Sequence, residues 1–108
     1  MFSFFKESPA IIPQDVKKLL LESGTLFIDV REKNEYESGH AQGAVSYPLS
    51  TFSNTLADEL KNFKVVYVIC QSGGRSSRAV EFLQKVGVNA INVTGGTSAW
   101  KSAGLVIE

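Results

Sequence analysis

The apolar positions of this chain change period along its length. Residues 65–69, VVYVI, form an unbroken β-branched and aromatic run, the composition of a strand buried on both faces of a parallel sheet. This run predicts a central strand. Shorter runs of similar character predict three more: TLFIDV from Thr25 to Val30, AVSYP from Ala44 to Pro48, and Ala90 to Val93. Between them the apolar spacing is helical. A helix entered at Pro13 carries Val16, Leu19 and Leu20 on one face and stops at Gly24, and another runs from an N-cap at Ser50 or Thr51 to about Phe63 with Phe52, Leu56 and Leu60 on one side. A third, from Ser76 to Val86, buries Ala79, Val80, Leu83 and Val86 and closes at Gly87. The polar stretch Glu32 to Ser38 predicts one or two helical turns ending at Gly39, and the Gly95-Gly96 turn leads into a short helix around Ser98 to Ala103 before a terminal apolar LVI.

Strands alternating with helices imply a three-layer α/β domain: a mostly parallel sheet with helices on both faces. The 108 residues suffice for one such domain, with no need of a disulfide or metal to hold it. The expected division is an N-terminal tail at residues 1–9 and a single domain at residues 10–108. In sheets of this kind ligands bind outside the carboxyl ends of the strands. Cys70 is the first residue after the predicted central strand.

Charge narrows the range of partners. Eleven basic residues balance eleven acidic ones, which leaves no excess to neutralise phosphates and argues against nucleic acid. No apolar run has the length of a membrane span, and the start, MFSFFKESPAIIP, predicts no export signal. The Phe2, Phe4 and Phe5 cluster is expected to pack on the domain or fray. A single cysteine cannot form an internal disulfide and fits a reducing compartment, so the expected location is the cytoplasm.

Cys70 opens the loop Gln71, Ser72, Gly73, Gly74, Arg75, with Ser76 beginning the predicted helix. Adjacent glycines permit backbone turns in which successive N–H groups face inward as an anion-binding cup. The helix start adds unpaired amides and the positive end of its dipole, and Arg75 adds a charge at the rim. All three favour a thiolate, the reactive form of cysteine. A small buried cysteine beside a mere turn is the plainer alternative, but the whole constellation favours a reactive site. The only histidine, His40, has no local pairing signature with the thiol.

The loop CQSGGRS resembles the C-x-x-G-x-R-S active-site loop of rhodanese-like sulfurtransferases. Two further segments agree: Asp29 to Ala44, DVREKNEYESGHAQGA, resembles the family's D-x-R-x-x-x-E-[YF]-x-x-G-H-x-x-G-A motif, and Gly95 to Glu108, GGTSAWKSAGLVIE, its G-G-x-x-A-W-x-x-A-G-x-P signature. The resemblance implies a five-stranded parallel sheet in the single-domain version of the family. It implies a nucleophilic Cys70 that takes a sulfane sulfur from thiosulfate or a low-molecular-weight persulfide, holds it as a persulfide cradled by Gln71 to Ser76, and passes it to a thiol, cyanide or protein acceptor. Two half-reactions imply ping-pong kinetics, with no metal or organic cofactor. Asp29, Arg31 and Glu35 match motif positions. Asp29 is expected to brace the loop, and Arg31 and Glu35 to pair across a helical turn. His40 and Trp100 match motif positions as structural residues, a hydrogen-bonded histidine and a packed tryptophan. Gln42 and Val106 stand where the family often has proline.

Other functions compete. Phosphatase loops on related scaffolds place arginine six positions after the cysteine, whereas Arg75 is five after Cys70; the shorter loop makes a smaller cup. Arsenate reduction would require a resolving thiol from elsewhere. A regulatory interaction module and a sulfur-relay carrier with a protein acceptor are the remaining alternatives.

Overall fold

A computed structural model describes residues 9–108. The expectation for the Phe2, Phe4 and Phe5 cluster lies outside them. Five strands form one parallel sheet: β1 (Ala10–Ile11), β2 (Thr25–Asp29), β3 (Val45–Ser46), β4 (Val65–Ile69) and β5 (Ala90–Val93), in the order β1-β5-β4-β2-β3. Every ladder is parallel, with Val68 facing Ile28 on one side and Asn92 on the other. The five helices are α1 (Pro13–Leu19), α2 (Lys33–Glu37), α3 (Asn54–Leu60), α4 (Gly74–Lys85) and α5 (Gly96–Ser102), with a 3-10 turn at Leu49–Thr51.

All five residues of β4 are buried, as a central strand covered on both faces requires. The pleat divides its side chains by parity. Val66 and Val68 join Ala57 and Leu60 of α3 and Ala79, Val80 and Leu83 of α4 in one core. Val65, Tyr67 and Ile69 join Val16 of α1 and Trp100 of α5 in the other. Cys70 continues the first series and packs on the α3/α4 side. The sheet is therefore a middle layer with helices on both faces, as the alternation of periods implied.

The differences from expectation lie at element ends. β1 is two residues long, too short to carry a period. It pairs with β5, and the N–H of Asn92 donates to the Pro9 carbonyl at 2.8 Å. Helix α3 is capped by Ser53, whose hydroxyl accepts from the Leu56 N–H at 3.2 Å, not by Ser50 or Thr51. Residues 49–51 are instead the 3-10 turn after Pro48, where the Thr51 hydroxyl donates to the Pro48 carbonyl at 2.6 Å. The helix after Cys70 begins at Gly74 and not Ser76, so Arg75 and Ser76 occupy its first turn. The first helix ends at Leu19, short of Gly24, and the last begins at Gly96, ahead of Ser98.

Strand order changes direction between β2 and β4, since β2 leads outward to β3 and β4 leads outward to β5. A crevice outside the carboxyl ends of two such strands is the expected ligand position. Asp29 and Ile69 face one another across that pair, with Arg31 and Cys70 just beyond them.

Candidate functional site

Cys70 leaves β4 as the chain turns through Gln71, Ser72 and Gly73 into α4. Gly73 has φ +111°, a backbone conformation that side chains disfavour, and caps the helix. The turn brings donors onto the sulfur. The Gly73 N–H lies 3.1 Å from Cys70 Sγ and the Ser76 hydroxyl 3.2 Å. Burial by itself pushes the thiol pKa up, but hydrogen bonds from the Ser76 hydroxyl and from the amides of Ser76, Gly73 and Ser72 outweigh it, and the thiol is held below its ordinary value. The Gly73 amide and the Ser76 hydroxyl thus face the sulfur, and Cys70 as a residue is only 1% exposed.

Ser76 is itself fully buried, and its hydroxyl also meets Asn92 Oδ1 at 2.5 Å and the Gly73 carbonyl at 3.1 Å. Asn92 Nδ2 reaches that same carbonyl at 3.4 Å. One side chain on β5 thus touches both residues that donate to the sulfur. A serine hydroxyl has a single hydrogen, so it serves Asn92, the Gly73 carbonyl or the sulfur at any instant. Sequence reasoning missed Asn92. Its only signal was a polar residue inside an otherwise apolar strand.

The other wall of the loop is α5. The Cys70 carbonyl accepts from the Thr97 N–H at 2.8 Å and the Thr97 hydroxyl at 3.0 Å, and the Gln71 carbonyl accepts from the Ser98 N–H at 3.1 Å. Gly96 makes this approach possible: a Cβ there would lie 2.6 Å from the Gln71 carbonyl oxygen. Read from the sequence, Gly95-Gly96 is a turn; in the fold it is a seat for the cysteine peptide.

The supporting residues are arranged differently from expectation. Asp29 and Arg31 are both buried and form a close pair, with Arg31 Nη2 2.8 Å from Asp29 Oδ2 and Nε 3.1 Å from both carboxylate oxygens. Arg31 continues to the Gly39 carbonyl at 2.7 Å and to Gln71 Oε1 at 3.3 Å, while Gln71 Nε2 donates to Ser98 Oγ at 2.9 Å. Asp29 therefore reaches the loop through Arg31, and Gln71 turns its side chain toward α5. The expected Arg31 to Glu35 pair does not form. Arg31 precedes α2, so the four-residue helical spacing does not apply to it, and Asp29 is already bound to it two residues away. Glu35 instead holds Arg75, at 2.6 Å to Nη1 and 2.9 Å to Nη2. The Arg75 hydrogen bonds, working against some desolvation, lower the Glu35 pKa to about 2. The Arg75 charge at the rim is thus balanced by Glu35 in an ion pair.

Ser72 is exposed and contributes its amide, and Gly74 opens α4 with no atom within 4 Å of where a Cβ would stand. His40 stacks on Tyr36 with ring centroids 3.8 Å apart and bonds the Tyr36 carbonyl through Nδ1 at 3.0 Å. Trp100 is buried, donates to the Val106 carbonyl at 2.9 Å and packs on Phe27 at 5.3 Å. The hydrogen-bonded histidine and the packed tryptophan match the contacts anticipated for them. Among the described residues no group of acidic, histidine or cysteine side chains is placed to hold a metal, and no helix is long and apolar enough to cross a membrane.

The likeness to known proteins follows the same segments. Residues 12–103 match the family described as Rhodanese-like domain. A 74-residue stretch, 68% of this chain, is 45% identical to the uncharacterized protein YqhL of Bacillus subtilis and covers 58% of it, so the chain spans less than two thirds of that relative. The thiosulfate sulfurtransferase 16, chloroplastic, of Arabidopsis thaliana is 31% identical over 90% of this chain and 91% of its own length. A rhodanese-related protein from Thermoplasma volcanium superposes with a TM-score of 0.81 at 29% identity, over 93% of this chain and 97% of that one. With the parallel sheet, the cysteine loop and a family match across nearly all its length, the chain belongs to the rhodanese-like domain family.

Proposed function

We propose that the protein is a sulfurtransferase in which Cys70 carries a sulfane sulfur as a persulfide. The observation that carries this reading is the convergence of the Gly73 amide and the Ser76 hydroxyl on Cys70 Sγ at the head of α4. These donors stabilise the thiolate, and after transfer they suit the anionic outer sulfur of a persulfide in the same cup.

In the first half-reaction the Cys70 thiolate attacks the outer sulfur of the donor. A Cys70 S–S bond forms as the donor's bond to that sulfur breaks, and the leaving group, sulfite from thiosulfate or a thiolate from a persulfide, departs with the electron pair. In the second, an acceptor thiolate or cyanide attacks the outer sulfur and the Cys70 thiolate is released. No metal or organic cofactor takes part. The named sulfurtransferase relative supports the reaction class.

The Arg75–Glu35 pair bears on the donor. With its charge balanced, Arg75 gives less attraction to dianionic thiosulfate than a free arginine would, which favours a persulfide donor. A free thiol of this kind suits a reducing compartment such as the cytoplasm. The sulfur-relay alternative differs only in the acceptor, a protein in place of a small thiol.

Intact mass tests the reading. Reduced protein is incubated with thiosulfate or with glutathione persulfide, then chased with cyanide, with Cys70→Ser alongside. The expected result is a gain of one sulfur that cyanide removes and the variant lacks. Absence of an adduct from both donors, or an adduct on Cys70→Ser, overturns it.

A further inference from the structure

Beside the cysteine loop, on the α5 side, lies a cavity of about 450 Å³, within the range of small-molecule sites. Its lining includes Arg31, Ser38, Gln71, Ser98 and Lys101, and no acidic side chain. Gln71 is the residue next to Cys70, so the cavity adjoins the loop without containing the sulfur.

Two groups in this wall are only partly used. The guanidinium of Arg31 has five N–H donors. Nε binds Asp29, Nη2 is shared between Asp29 and the Gly39 carbonyl, and Nη1 gives one hydrogen to Gln71 at 3.3 Å. The second hydrogen of Nη1 has no partner among the described residues, although Arg31 is only 3% exposed. Lys101 makes no ion pair among the described residues. Asp29 balances the Arg31 charge from behind the wall, and the Ser38 hydroxyl is spent on the Glu35 carbonyl, but the spare Nη1 hydrogen, the Lys101 ammonium and the Ser98 hydroxyl, with no carboxylate in the lining itself, form a surface for an anionic oxygen group.

We propose that this cavity is a carboxylate-recognition subsite for the substrate thiol: it takes the carboxylate of a peptide-sized thiol or persulfide whose sulfur meets Cys70 across Gln71. The inference rests on the sulfurtransferase reading for its purpose but not for its test. A cavity of this volume exceeds what thiosulfate needs and suits a short peptide. The Gln71 side chain is fixed between Arg31 and Ser98, so an oxygen group bound at Arg31 would be held one residue away from the nucleophile.

The experiment separates binding from chemistry. S-methylglutathione, which bears carboxylates but no free thiol, is titrated into the full chain carrying Cys70→Ser and followed by amide NMR shifts and calorimetry. Saturable shifts at Gly39, Ser98 and Lys101 are expected. Lys101→Glu, on an exposed side chain, should weaken binding about tenfold by replacing an attraction with a repulsion, and the diethyl ester of the same peptide should bind no better than that variant. With Cys70 present, Lys101→Glu should lower kcat/KM for glutathione as acceptor by a similar factor and leave 2-mercaptoethanol, which has no carboxylate, unchanged. Equal binding of acid and ester, shifts confined elsewhere, or indifference to Lys101→Glu overturns the subsite. Binding without any sulfur transfer would overturn the sulfurtransferase reading and leave the subsite standing.

Discussion

Removing the Ser76 hydroxyl tests the link between this fold and its chemistry most directly. The hydroxyl lies 3.2 Å from Cys70 Sγ and 2.5 Å from Asn92 Oδ1, and no water can replace it without entering a fully buried position. The one hydrogen of Ser76 is shared among Asn92 Oδ1, the Gly73 carbonyl and the sulfur. When the thiol ionises, the charged sulfur is the stronger acceptor and the hydrogen turns to it. A hydrogen bond to a charged group contributes about 1.5–3 kcal/mol, so Ser76→Ala should shift the thiol–thiolate equilibrium toward thiol on the order of 10- to 100-fold. The amides of Gly73 and Ser72 remain, so the thiol pKa should rise without losing all its depression. The variant should also lose roughly 1 kcal/mol of stability, because the half-buried Asn92 Oδ1 is left without its donor. Thiolate ultraviolet absorbance is followed across a pH series with Cys70→Ser as the blank, the alkylation rate is measured over the same range, and thermal melting reports stability. A Ser76→Ala titration that overlays the wild type, in a protein that melts at a lower temperature, would refute the argument: it would make Ser76 a packing residue with no hold on the thiolate.

Three further predictions concern the surroundings of the loop. Gly96→Ala should reduce sulfur transfer and lower the melting temperature together, because a methyl 2.6 Å from the Gln71 carbonyl must push α5 off the Cys70 peptide; a fully active, undisturbed variant would show that α5 does not position the loop. Glu35 has its pKa lowered from 4.5 to about 2 by Arg75, so the pair's stabilisation is complete above pH 4.5 and is lost as pH falls toward 2. With its side chains 38% and 33% exposed the pair is worth at most about 1 kcal/mol. The melting difference between wild type and Glu35→Gln should therefore be small at neutral pH and narrow through that acid window. At neutral pH the same variant leaves Arg75 uncompensated and should lower KM for thiosulfate, and an unchanged or higher KM would show that the charge balance does not govern donor choice.

Periodicity carried most of the architecture. The unbroken β-branched run from Val65 to Ile69 is the doubly covered strand that its composition predicted, and the helical spacing of Ala79, Val80 and Leu83 matched the face that α4 buries. The loop from Cys70 to Ser76 was equally legible, because glycines and a helix start are local instructions to the backbone. Element ends were less so. Ser50, Thr51 and Ser53 are all competent caps by type, and the choice fell to Ser53 because Pro48 leads the chain into a 3-10 turn first. The two-residue β1 has no period to detect and exists only because β5 offers it an edge.

Charge pairing was the part that local spacing misled. Asp29, Arg31, Glu35 and Arg75 all stand near the site, yet the sequence offers Arg31 and Glu35 as neighbours, while the fold joins Glu35 to Arg75 and keeps Arg31 with Asp29. A side chain's partner depends on which strand ends lie side by side, and β2 and β4 are 36 or more residues apart in sequence but adjacent in the sheet. Asn92 and Gly96 gained their places on the loop in the same way, from β5 and the start of α5. By itself the sequence determined four of the five strands, the helical segments and that Cys70 opens a turn able to gather amides, since these depend on residues within a few positions of one another. Only the tertiary structure decided which groups face the sulfur and which charges cancel, because those contacts join segments distant along the chain, and their distances are set by the packing of the whole sheet.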